Sequence, residues 1–534
     1  MTGRRLAWRR SSDVFGKECC SLRKHTDVNR ERLRPRGVFR RIERQIVRDK
    51  MQQTPQQQLG GAPEAPEAHA KMRAILDTQR AAFLRAGAPS LEERRADLAK
   101  LVDAIRRNSA RLADAIAADF GNRSRHETEL AEIFPVLSAA RHARKHLPGW
   151  MRPKRVPVGA EFMPASARIL YQPVGVVGII APWNYPFNLA VVPLIAALAA
   201  GNRVMLKPSE LTPRTADFLA EFLAGVFPFE RVATIVGGPD VGAAFARLPF
   251  DHLLYTGSTA VGRLVMQAAA ENLTPVTLEL GGKSPCLIGE DAALPSAVES
   301  IVHGKLLNAG QTCIAPDYVL LPEQRLDAFI ALTEQTVQKF YPTLKVNPDY
   351  TSIVNERHYR RVAQYVAEAK ASGARVVEIN PGHEALPAET RKLPPTLVIE
   401  PGDNLAVMRE EIFGPVLPVK TYRALSEAID YVNRHPRPLA LYYFGVDPGK
   451  RDEVLRQTIS GGASVNATLF HFAVENLPFG GVGPSGIGAY HGEFGFQTFS
   501  HRKGVFLQSR FSGERFLRPP FGRITDLMLK FLNR

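Results

Sequence analysis

Short apolar runs alternate with longer amphipathic stretches through the middle of the chain. Runs rich in Val, Ile and Leu occur at 176–180, 203–207, 233–236 and 252–256. Helical patterns separate or follow these runs, near 187–201, 212–226, 239–247 and 259–270. Buried strands that alternate with helices of this length are typical of βαβ units. The pattern predicts a parallel sheet, whose ligands are expected at the carboxyl ends of its strands.

A second alternating region runs from Thr277 to about Leu469 and predicts a second α/β domain. Its strands are predicted at 285–288, 317–321, 396–399, 416–419 and 440–445. Helical periodicity covers 71–145, and 152–172 is expected to form a hairpin outside either sheet. The 34 uncharged residues 169–202 superficially resemble a membrane span. Because prolines interrupt them and their character changes from β-branched to Ala/Leu-rich, they predict a strand, a turn and a buried helix.

Charge is concentrated at the amino-terminal end. Of the net charge of +16, residues 1–50 supply a surplus of 10, with 16 basic and 6 acidic side chains. The body is therefore nearly balanced, which argues against nucleic-acid binding. Residues 1–70 are interpreted as a disordered basic extension and linker. Four cysteines without a C-x-x-C pair exclude a disulfide scaffold and structural zinc, so we expect no metal and a reducing cytoplasm.

Two residues are candidates for chemistry. Cys313 stands among small and polar residues beside a turn, which favours a reactive thiolate, whereas Cys286 lies in an apolar run and is interpreted as inert core. Glu279 follows a β-type run and precedes two glycines, as a carboxylate at a strand end would. Alone, each is more often structural than catalytic.

Glycines mark one candidate cofactor site. Gly257, Ser258 and Gly262 follow the fourth apolar run and open a helix, where free N–H groups attract a pyrophosphate. The stretch 481–486 matches the letters of the dinucleotide-binding motif G-x-G-x-x-G but not its structural context. It lacks a preceding strand and contains Pro484, so it is interpreted as a glycine-rich loop.

Seven motifs, in order along about residues 75–510, resemble the aldehyde dehydrogenase superfamily. They are Pro182-Trp183-Asn184-Tyr-Pro, Lys207-Pro-Ser-Glu210, Thr256-Gly257-Ser258, Glu279-Leu-Gly-Gly-Lys, Gly310-Gln-Thr-Cys313, Glu410-Glu411-Ile-Phe413-Gly-Pro and Pro478-Phe-Gly-Gly. Further segments beginning at Cys313, Pro438 and Tyr490 are similar to the class 3 branch and, within it, to the bacterial coniferyl aldehyde dehydrogenases. The resemblance implies two parallel-sheet α/β domains, dinucleotide-binding and catalytic, with a small oligomerisation arm.

The resemblance also assigns catalytic roles. Cys313 attacks the aldehyde carbon to form a thiohemiacetal, and Asn184 stabilises the alkoxide together with the backbone N–H of Cys313. Hydride transfer to the nicotinamide leaves a thioester, which a water activated by Glu279 hydrolyses to the acid. A CoA-acylating dehydrogenase and a medium- or long-chain fatty aldehyde dehydrogenase remain alternatives.

The cofactor-binding residues follow from the same motifs. Lys207 and Glu210 correspond to the pair that binds the adenosine ribose, and Ser258 lies beside the pyrophosphate. The nicotinamide ribose and ring are assigned to Glu411 and Phe413. Trp183, Gly257 and Gly262 complete the predicted cofactor-binding residues. Glu210 on a ribose 2′-hydroxyl favours NAD, with NADP left open because class 3 relatives often accept both.

Domain boundaries and partners are predicted as follows. Residues 71–278 form the NAD(P)-binding domain, with 152–172 as an oligomerisation arm, and 279–490 form the catalytic domain. Residues 491–510 form an oligomerisation strand, which implies a homodimer. Residues 511–534 form a basic amphipathic tail. Packing of this tail against a partner subunit is favoured over a membrane surface, because the helix is short.

Overall fold

The computed structural model describes residues 65–533, so the predicted basic extension 1–50 and most of the linker lie outside the described part. Within that part the strands are, in chain order, β1 (Lys154–Val156), β2 (Ser166–Pro173), β3 (Val176–Ile180), β4 (Arg203–Lys207), β5 (Val232–Thr234), β6 (His252–Thr256), β7 (Val276–Glu279), β8 (Pro285–Ile288), β9 (Tyr318–Pro322), β10 (Arg375–Glu378), β11 (Thr396–Ile399), β12 (Val416–Tyr422), β13 (Ala440–Phe444), β14 (Gly462–Val465), β15 (Gly486–Ile487) and β16 (Ser500–Leu507).

The α-helices of the same part follow the predicted amphipathic stretches. They are α1 (Ala65–Ala86), α2 (Leu91–Phe120), α3 (Arg125–Thr128), α4 (Phe134–Trp150), α5 (Asn188–Ala200), α6 (Pro213–Ala224), α7 (Pro239–Ala246), α8 (Thr259–Ala270), α9 (Leu294–Leu306), α10 (Leu326–Phe340), α11 (Glu356–Ala371), α12 (Ala406–Arg409), α13 (Leu425–Asn433), α14 (Pro448–Gln457), α15 (Phe470–Ala473), α16 (Gly492–Thr498) and α17 (Arg523–Leu532). A π-helical turn, Glu129–Ile133, joins α3 to α4.

The first sheet has the strand order β15-β7-β6-β3-β4-β5 and is parallel except for the short edge strand β15. Its parallel strands form because β3, β4 and β6 are almost entirely buried and consist largely of Val, Ile and Leu. Helix α5 packs beside them with all 13 of its residues buried. The predicted strand, turn and buried helix over 169–202 are therefore confirmed, and no helix within 65–533 is long and apolar enough to cross a membrane.

The second sheet has the order β10-β11-β12-β9-β8-β13-β14, in which only β10 is antiparallel to its neighbour. All five strands predicted for this region are present. The predicted hairpin forms β1 and β2, and β16 pairs antiparallel with β2 over eight residues to complete a three-stranded sheet. This small sheet lies outside both parallel sheets, as the sequence predicts.

Three elements cross or differ from the predicted domain boundaries. Helix α1 begins at Ala65, because the helix-forming residues at the end of the presumed linker extend it and Pro66 is tolerated in a first turn. The predicted boundary between the two domains, at residues 278 and 279, falls inside β7. Strand β15, which lies much later in the chain at residues 486–487, pairs with β7. The predicted strand 491–510 begins with helix α16, because Phe496 buries its ring against Trp150.

Candidate active site

The loop that carries Cys313 is built on an unusual backbone. Three consecutive residues, Asn308, Ala309 and Gly310, have positive φ angles of 53°, 52° and 76°. Non-glycine residues in this region are strained, so the surrounding structure must hold them. A Cβ atom at Gly310 would lie 2.3 Å from the carbonyl oxygen of Gly414, which leaves room only for glycine. This turn presents Cys313 at the end of a buried segment.

The Asn184 side chain is fixed against the same loop. Its Nδ2 donates to the backbone carbonyl oxygen of Gln311 at 3.1 Å, and the backbone carbonyl oxygen of Asn184 accepts from Asn308 Nδ2 at 2.9 Å. One hydrogen of the Asn184 amide remains after the bond to Gln311. Burial raises the pKa of the Cys313 thiol, and the backbone N–H groups of Cys313 and Ile314 oppose that effect. Hydrogen-bond donors are therefore available near the thiol, as an oxyanion formed there would require.

A fully buried arginine lies behind Asn184. The Arg123 Nη1 atom donates to the Asn184 carbonyl oxygen at 3.1 Å. Its guanidinium lies 3.7 Å from Glu127 Oε2 and 3.9 Å from Glu132 Oε1. These three residues are not evident from the sequence, because the four-residue spacing of Arg123 and Glu127 is that of a solvated ion pair on a helix.

Each of the two carboxylates holds a different catalytic segment. Glu127 accepts from the backbone N–H of Asn308 at 3.0 Å, and Glu132 accepts from the N–H groups of Phe187 and Asn188 at 3.2 and 2.7 Å. Burial raises the pKa of Glu132 to about 7 against the opposing effect of Arg123. The arginine and its two carboxylates thereby join the Asn184 segment to the Cys313 loop.

Glu279 is the last residue of β7, and the glycine-rich loop covers it. Gly486 of β15 pairs with Glu279, and the N–H of Leu280 donates to the carbonyl oxygen of Ser485 at 3.1 Å. The false dinucleotide fingerprint is thus a glycine-rich loop, as predicted. Both carboxylate oxygens of Glu279 are buried without a hydrogen-bond partner among the described residues. Burial raises the pKa of this carboxyl well above its ordinary value.

The segment with Glu411 and Phe413 is held by a half-buried lysine. Lys283 donates to Asp317 Oδ2 at 2.5 Å and to the carbonyl oxygen of Glu410 at 2.9 Å, while Asp317 Oδ1 accepts from the N–H of Ile412 at 3.2 Å. Lys283 and Asp317 therefore position the motif that contains Glu411 and Phe413. Burial, and then the charge of Asp317, raises the pKa of Glu411 to about 8.

Two cavities meet at Cys313. One, of about 260 Å³, is lined by five predicted cofactor-binding residues, Trp183, Gly257, Ser258, Glu411 and Phe413, and by the predicted catalytic residues Asn184 and Glu279. Its lining also includes His358 and Arg361, which were not predicted. The other, of about 390 Å³, is mostly apolar. Cys313 and Leu189 line both, so the thiol can be reached from two sides.

The first cavity offers unused polar atoms to a ligand. Thr256 Oγ1 and Glu411 Oε1 are buried without a partner within the described residues, as are the Glu279 oxygens. The Trp183 ring lies 5.5 Å from that of Phe413 and 4.9 Å from that of His358. Hydroxyl and amide groups beside a flat aromatic ring, which a nicotinamide riboside carries, fit such a lining.

Three predicted cofactor residues do not line this cavity. Lys207 ends β4 and its Nζ atom is 2.9 Å from Glu210 Oε2, so the predicted ribose-binding pair is preformed farther along the sheet edge. Gly262 faces the protein instead, because a Cβ atom there would lie 2.6 Å from Leu280 Cδ2. It permits close packing of α8 rather than ligand contact.

The Cys313 thiol differs from the thiolate that the sequence suggests. Burial, followed by the carboxyl groups of Glu411 and Glu279, holds the pKa of the thiol above its ordinary value. Without ligands the cysteine is therefore neutral at physiological pH. Cys286 is also buried, as predicted, and burial raises the pKa of its thiol too.

Replacing Arg123 by Met should destabilise the fold by about 3 kcal/mol, because it leaves Glu127 and Glu132 buried without a cation. Urea unfolding would measure the loss. Removing the cation raises the pKa of both carboxyls in the folded state, so the deficit should shrink as the pH falls.

The control is Arg111→Met, which breaks an exposed 2.9 Å ion pair with Glu221 and should cost less than about 1 kcal/mol. Equal losses in the two variants would contradict the role given to the buried arginine.

The comparisons with known proteins agree with this site. A "Probable coniferyl aldehyde dehydrogenase" of Caulobacter vibrioides is 52% identical over 463 residues, which cover 85% of this chain and 96% of that protein. The rat aldehyde dehydrogenase family 3 member A2 is 43% identical over 408 residues, 74% of this chain and 80% of that protein. The predicted class 3 resemblance is thereby confirmed.

Solved structures share the fold. Staphylococcus aureus AldH in a substrate-bound state has a TM-score of 0.82 and 38% identity, covering 86% of this chain and 99% of that one. A Mycobacterium tuberculosis aldehyde dehydrogenase complexed with NAD+ has a TM-score of 0.75 and 30% identity, covering 83% and 91%. The model of the aldehyde dehydrogenase family matches residues 45–505. The chain therefore belongs to the aldehyde dehydrogenase family and oxidises an aldehyde with NAD(P).

Proposed function

We propose that the chain oxidises an aromatic or unsaturated aldehyde to its carboxylic acid, with Cys313 as the nucleophile and Glu279 as the base. The observation that carries this proposal is the shared position of Cys313. It lines a polar cavity that suits a nicotinamide and an apolar cavity that suits an aldehyde. A substrate and a hydride acceptor can thus approach the same sulfur from different sides.

The first step is the addition of the Cys313 sulfur to the aldehyde carbon. The sulfur–carbon bond forms while the carbonyl π electrons move to oxygen, which becomes an alkoxide. The remaining Asn184 amide hydrogen and the Cys313 backbone N–H are the donors for that oxygen. Because the thiol is neutral without ligands, it must first lose its proton. Glu279, one of the two carboxyls that raise its pKa, is the proposed acceptor.

The polar cavity holds the nicotinamide end of the cofactor. Glu411 and Phe413 are positioned for its ribose and ring, and Ser258, which caps the first turn of α8, for its pyrophosphate. When bound, the cofactor accepts the hydride that leaves the thiohemiacetal carbon. The Lys207–Glu210 pair would receive the adenosine ribose, and this favours NAD.

Glu279 is also the proposed base for the second step. After the thiol proton has passed from Glu279 to solvent, a water attacks the thioester and its proton passes to the Glu279 carboxylate. The acid then leaves as the carbon–sulfur bond breaks, and the Cys313 sulfur takes that proton back to become a thiol. This carboxyl is buried without a partner in residues 65–533, so no protein group competes for it. Such a base favours hydrolysis over acyl transfer to CoA.

The apolar cavity favours a substrate with a ring or an extended unsaturated chain. Aromatic side chains and aliphatic groups make up most of its lining, including Tyr185, Phe134, Phe470 and Phe472. The lining buries a phenyl group but offers a two-carbon aldehyde few contacts. The Caulobacter relative, named for coniferyl aldehyde, supports the same class.

The small sheet β1-β2-β16 is proposed as a homodimerisation arm. Exposed Phe506 of β16 and exposed Phe162, in the connection between β1 and β2, have ring centroids 5.9 Å apart. Exposed apolar residues on an antiparallel sheet are typical of an interface. The tail helix α17, with exposed Ile524, Leu527 and Phe531, is proposed to pack on the partner as well.

A cytoplasmic location is proposed because a catalytic thiol needs a reducing compartment.

Cys313→Ala should bind NAD but form no NADH, because no thiohemiacetal can form. Glu279→Gln keeps the shape and loses the base, so a burst of roughly one equivalent of NADH per site should precede very slow turnover. Stopped-flow absorbance would measure both. The burst is expected to be slower than in the wild type, since Glu279 also takes the thiol proton.

Product analysis in the presence of CoA separates the two release routes. Wild-type enzyme should form only the free acid, at a rate that CoA does not change. CoA-dependent turnover with an acyl-CoA product would refute hydrolysis in favour of the acylating alternative.

Cinnamaldehyde should exceed acetaldehyde in kcat/KM by at least about tenfold, because the ring buries apolar surface against the cavity wall. Initial rates of NADH formation over a series of aldehydes, with hexanal as an apolar control without a ring, would measure this. A higher kcat/KM for acetaldehyde would contradict the assigned substrate class.

Glu210→Gln should raise the kcat/KM for NADP relative to NAD by about tenfold, because it removes a carboxylate that would repel a 2′-phosphate. Initial rates with each cofactor would give the ratio. Glu221→Gln removes an exposed glutamate of α6 and should leave the ratio unchanged. An unchanged ratio in both variants would show that Glu210 does not contact the adenosine ribose.

A further inference from the structure

The apolar cavity contains one acid that the reaction does not use. Glu475 follows α15 and lines the cavity beside Phe472 and His491. Of the described residues in that lining, it alone carries a carboxyl group. No hydrogen bond or ion pair holds this carboxyl within 65–533. Burial raises its pKa to about 7. An acid without a partner on an apolar wall costs stability, so its presence requires an explanation.

A second polar group on the same wall also lacks a partner. His491 is 2% exposed, and neither of its ring nitrogens has a hydrogen-bond partner among the residues described. Its backbone neighbour Gly492 lies against the carbonyl oxygen of Glu475, so the two segments adjoin. Burial lowers the pKa of His491 to about 3, and the ring is neutral. This wall thus offers two unused polar side chains to a ligand.

The apolar cavity joins this wall to the reacting sulfur, because Glu475 and Cys313 both line it. Its volume of about 390 Å³ accommodates a small aromatic molecule. A substrate whose carbonyl is at Cys313 would place the far end of its ring toward Glu475.

We propose that the Glu475 carboxylate accepts a hydrogen bond from a hydroxyl group on the substrate, at the end remote from the aldehyde. A phenolic hydroxyl para to an unsaturated aldehyde chain has the required position and donor. Glu475 is then a specificity-determining residue that selects hydroxylated aromatic aldehydes. This inference rests on the proposed oxidation of aromatic aldehydes and adds a requirement for a hydroxyl donor.

Three matched substrates isolate the hydroxyl group. They are para-hydroxycinnamaldehyde, para-methoxycinnamaldehyde, which has the oxygen but no donor, and unsubstituted cinnamaldehyde. The wild type should have its highest kcat/KM for the hydroxylated compound. A site built to bond a substrate hydroxyl discriminates strongly against an analogue that lacks the donor.

Three variants then test the acid. Glu475→Ala should lower kcat/KM for the hydroxylated aldehyde by about ten- to a hundredfold, mainly through KM, and change that for cinnamaldehyde by less than about twofold. Glu475→Gln should retain part of the preference, because its amide oxygen still accepts. Ser138→Ala, which alters another polar residue of the same cavity, should affect all three substrates alike. Thermal unfolding should show Glu475→Ala no less stable than the wild type, since it removes a half-buried acid without a partner.

The outcomes separate this inference from the function on which it rests. Equal losses on all three substrates in Glu475→Ala, or a hydroxyl-selective loss in Ser138→Ala instead, would overturn the role of Glu475 and leave aldehyde oxidation intact. A wild-type enzyme that oxidises none of the three would overturn the proposed substrate class, and this inference with it.

Discussion

The active site depends on one buried cation shared between two carboxylates. Arg123, Glu127 and Glu132 are buried. Each carboxylate lies beside Arg123 and also accepts hydrogen bonds from backbone N–H groups, Glu127 in the Cys313 loop and Glu132 in the Asn184 segment. A buried charge is tolerated only when it is paired and hydrogen-bonded. Movement of either the Asn184 segment or the Cys313 loop would therefore leave a charge unsatisfied. The free-energy cost of an unsatisfied buried charge therefore fixes the Asn184 segment and the Cys313 loop relative to each other. It also maintains the positive φ angles of the Cys313 loop.

The strands could be predicted from the sequence because they are short, apolar and separated by amphipathic helices. Runs such as 176–180 and 203–207 are present with the predicted bounds. The boundary at Glu279 could not be predicted, because the strand that pairs with β7 lies about two hundred residues later in the chain. A local pattern contains no information on such long-range pairing. The same limit explains why helix α16 was mistaken for a strand, since Phe496 is recognised as core only once Trp150 is beside it.

The site was predicted mainly by its motifs, and its supporting residues were not. Glu279, Asn184 and Cys313 lie on one cavity, whereas Gly262 turned out to serve packing. Arg123 and Glu127 carry opposite charges four residues apart, a spacing at which such pairs in most proteins face solvent. Nothing local in the sequence shows that the turn Glu129–Ile133 is π-helical, a form often found at functional sites. The protonation of Cys313 was also beyond prediction, because it depends on burial and on the carboxyls of Glu411 and Glu279, which lie in two other segments of the chain.

The position of the Cys313 sulfur between two cavities affects the order in which ligands bind and products leave. The apolar cavity reaches the surface near the exposed rings of Phe134 and Phe470, and the polar one near the exposed Ser258. Each ligand consequently has its own route in and out. The acid can leave on one side while the dinucleotide is still bound on the other, so neither product blocks the exit of its counterpart. With the aldehyde in the apolar cavity and the cofactor in the polar one, as proposed, substrate and cofactor exchange through two independent openings. Changes to one cavity wall are therefore expected to alter substrate exchange without disturbing cofactor exchange.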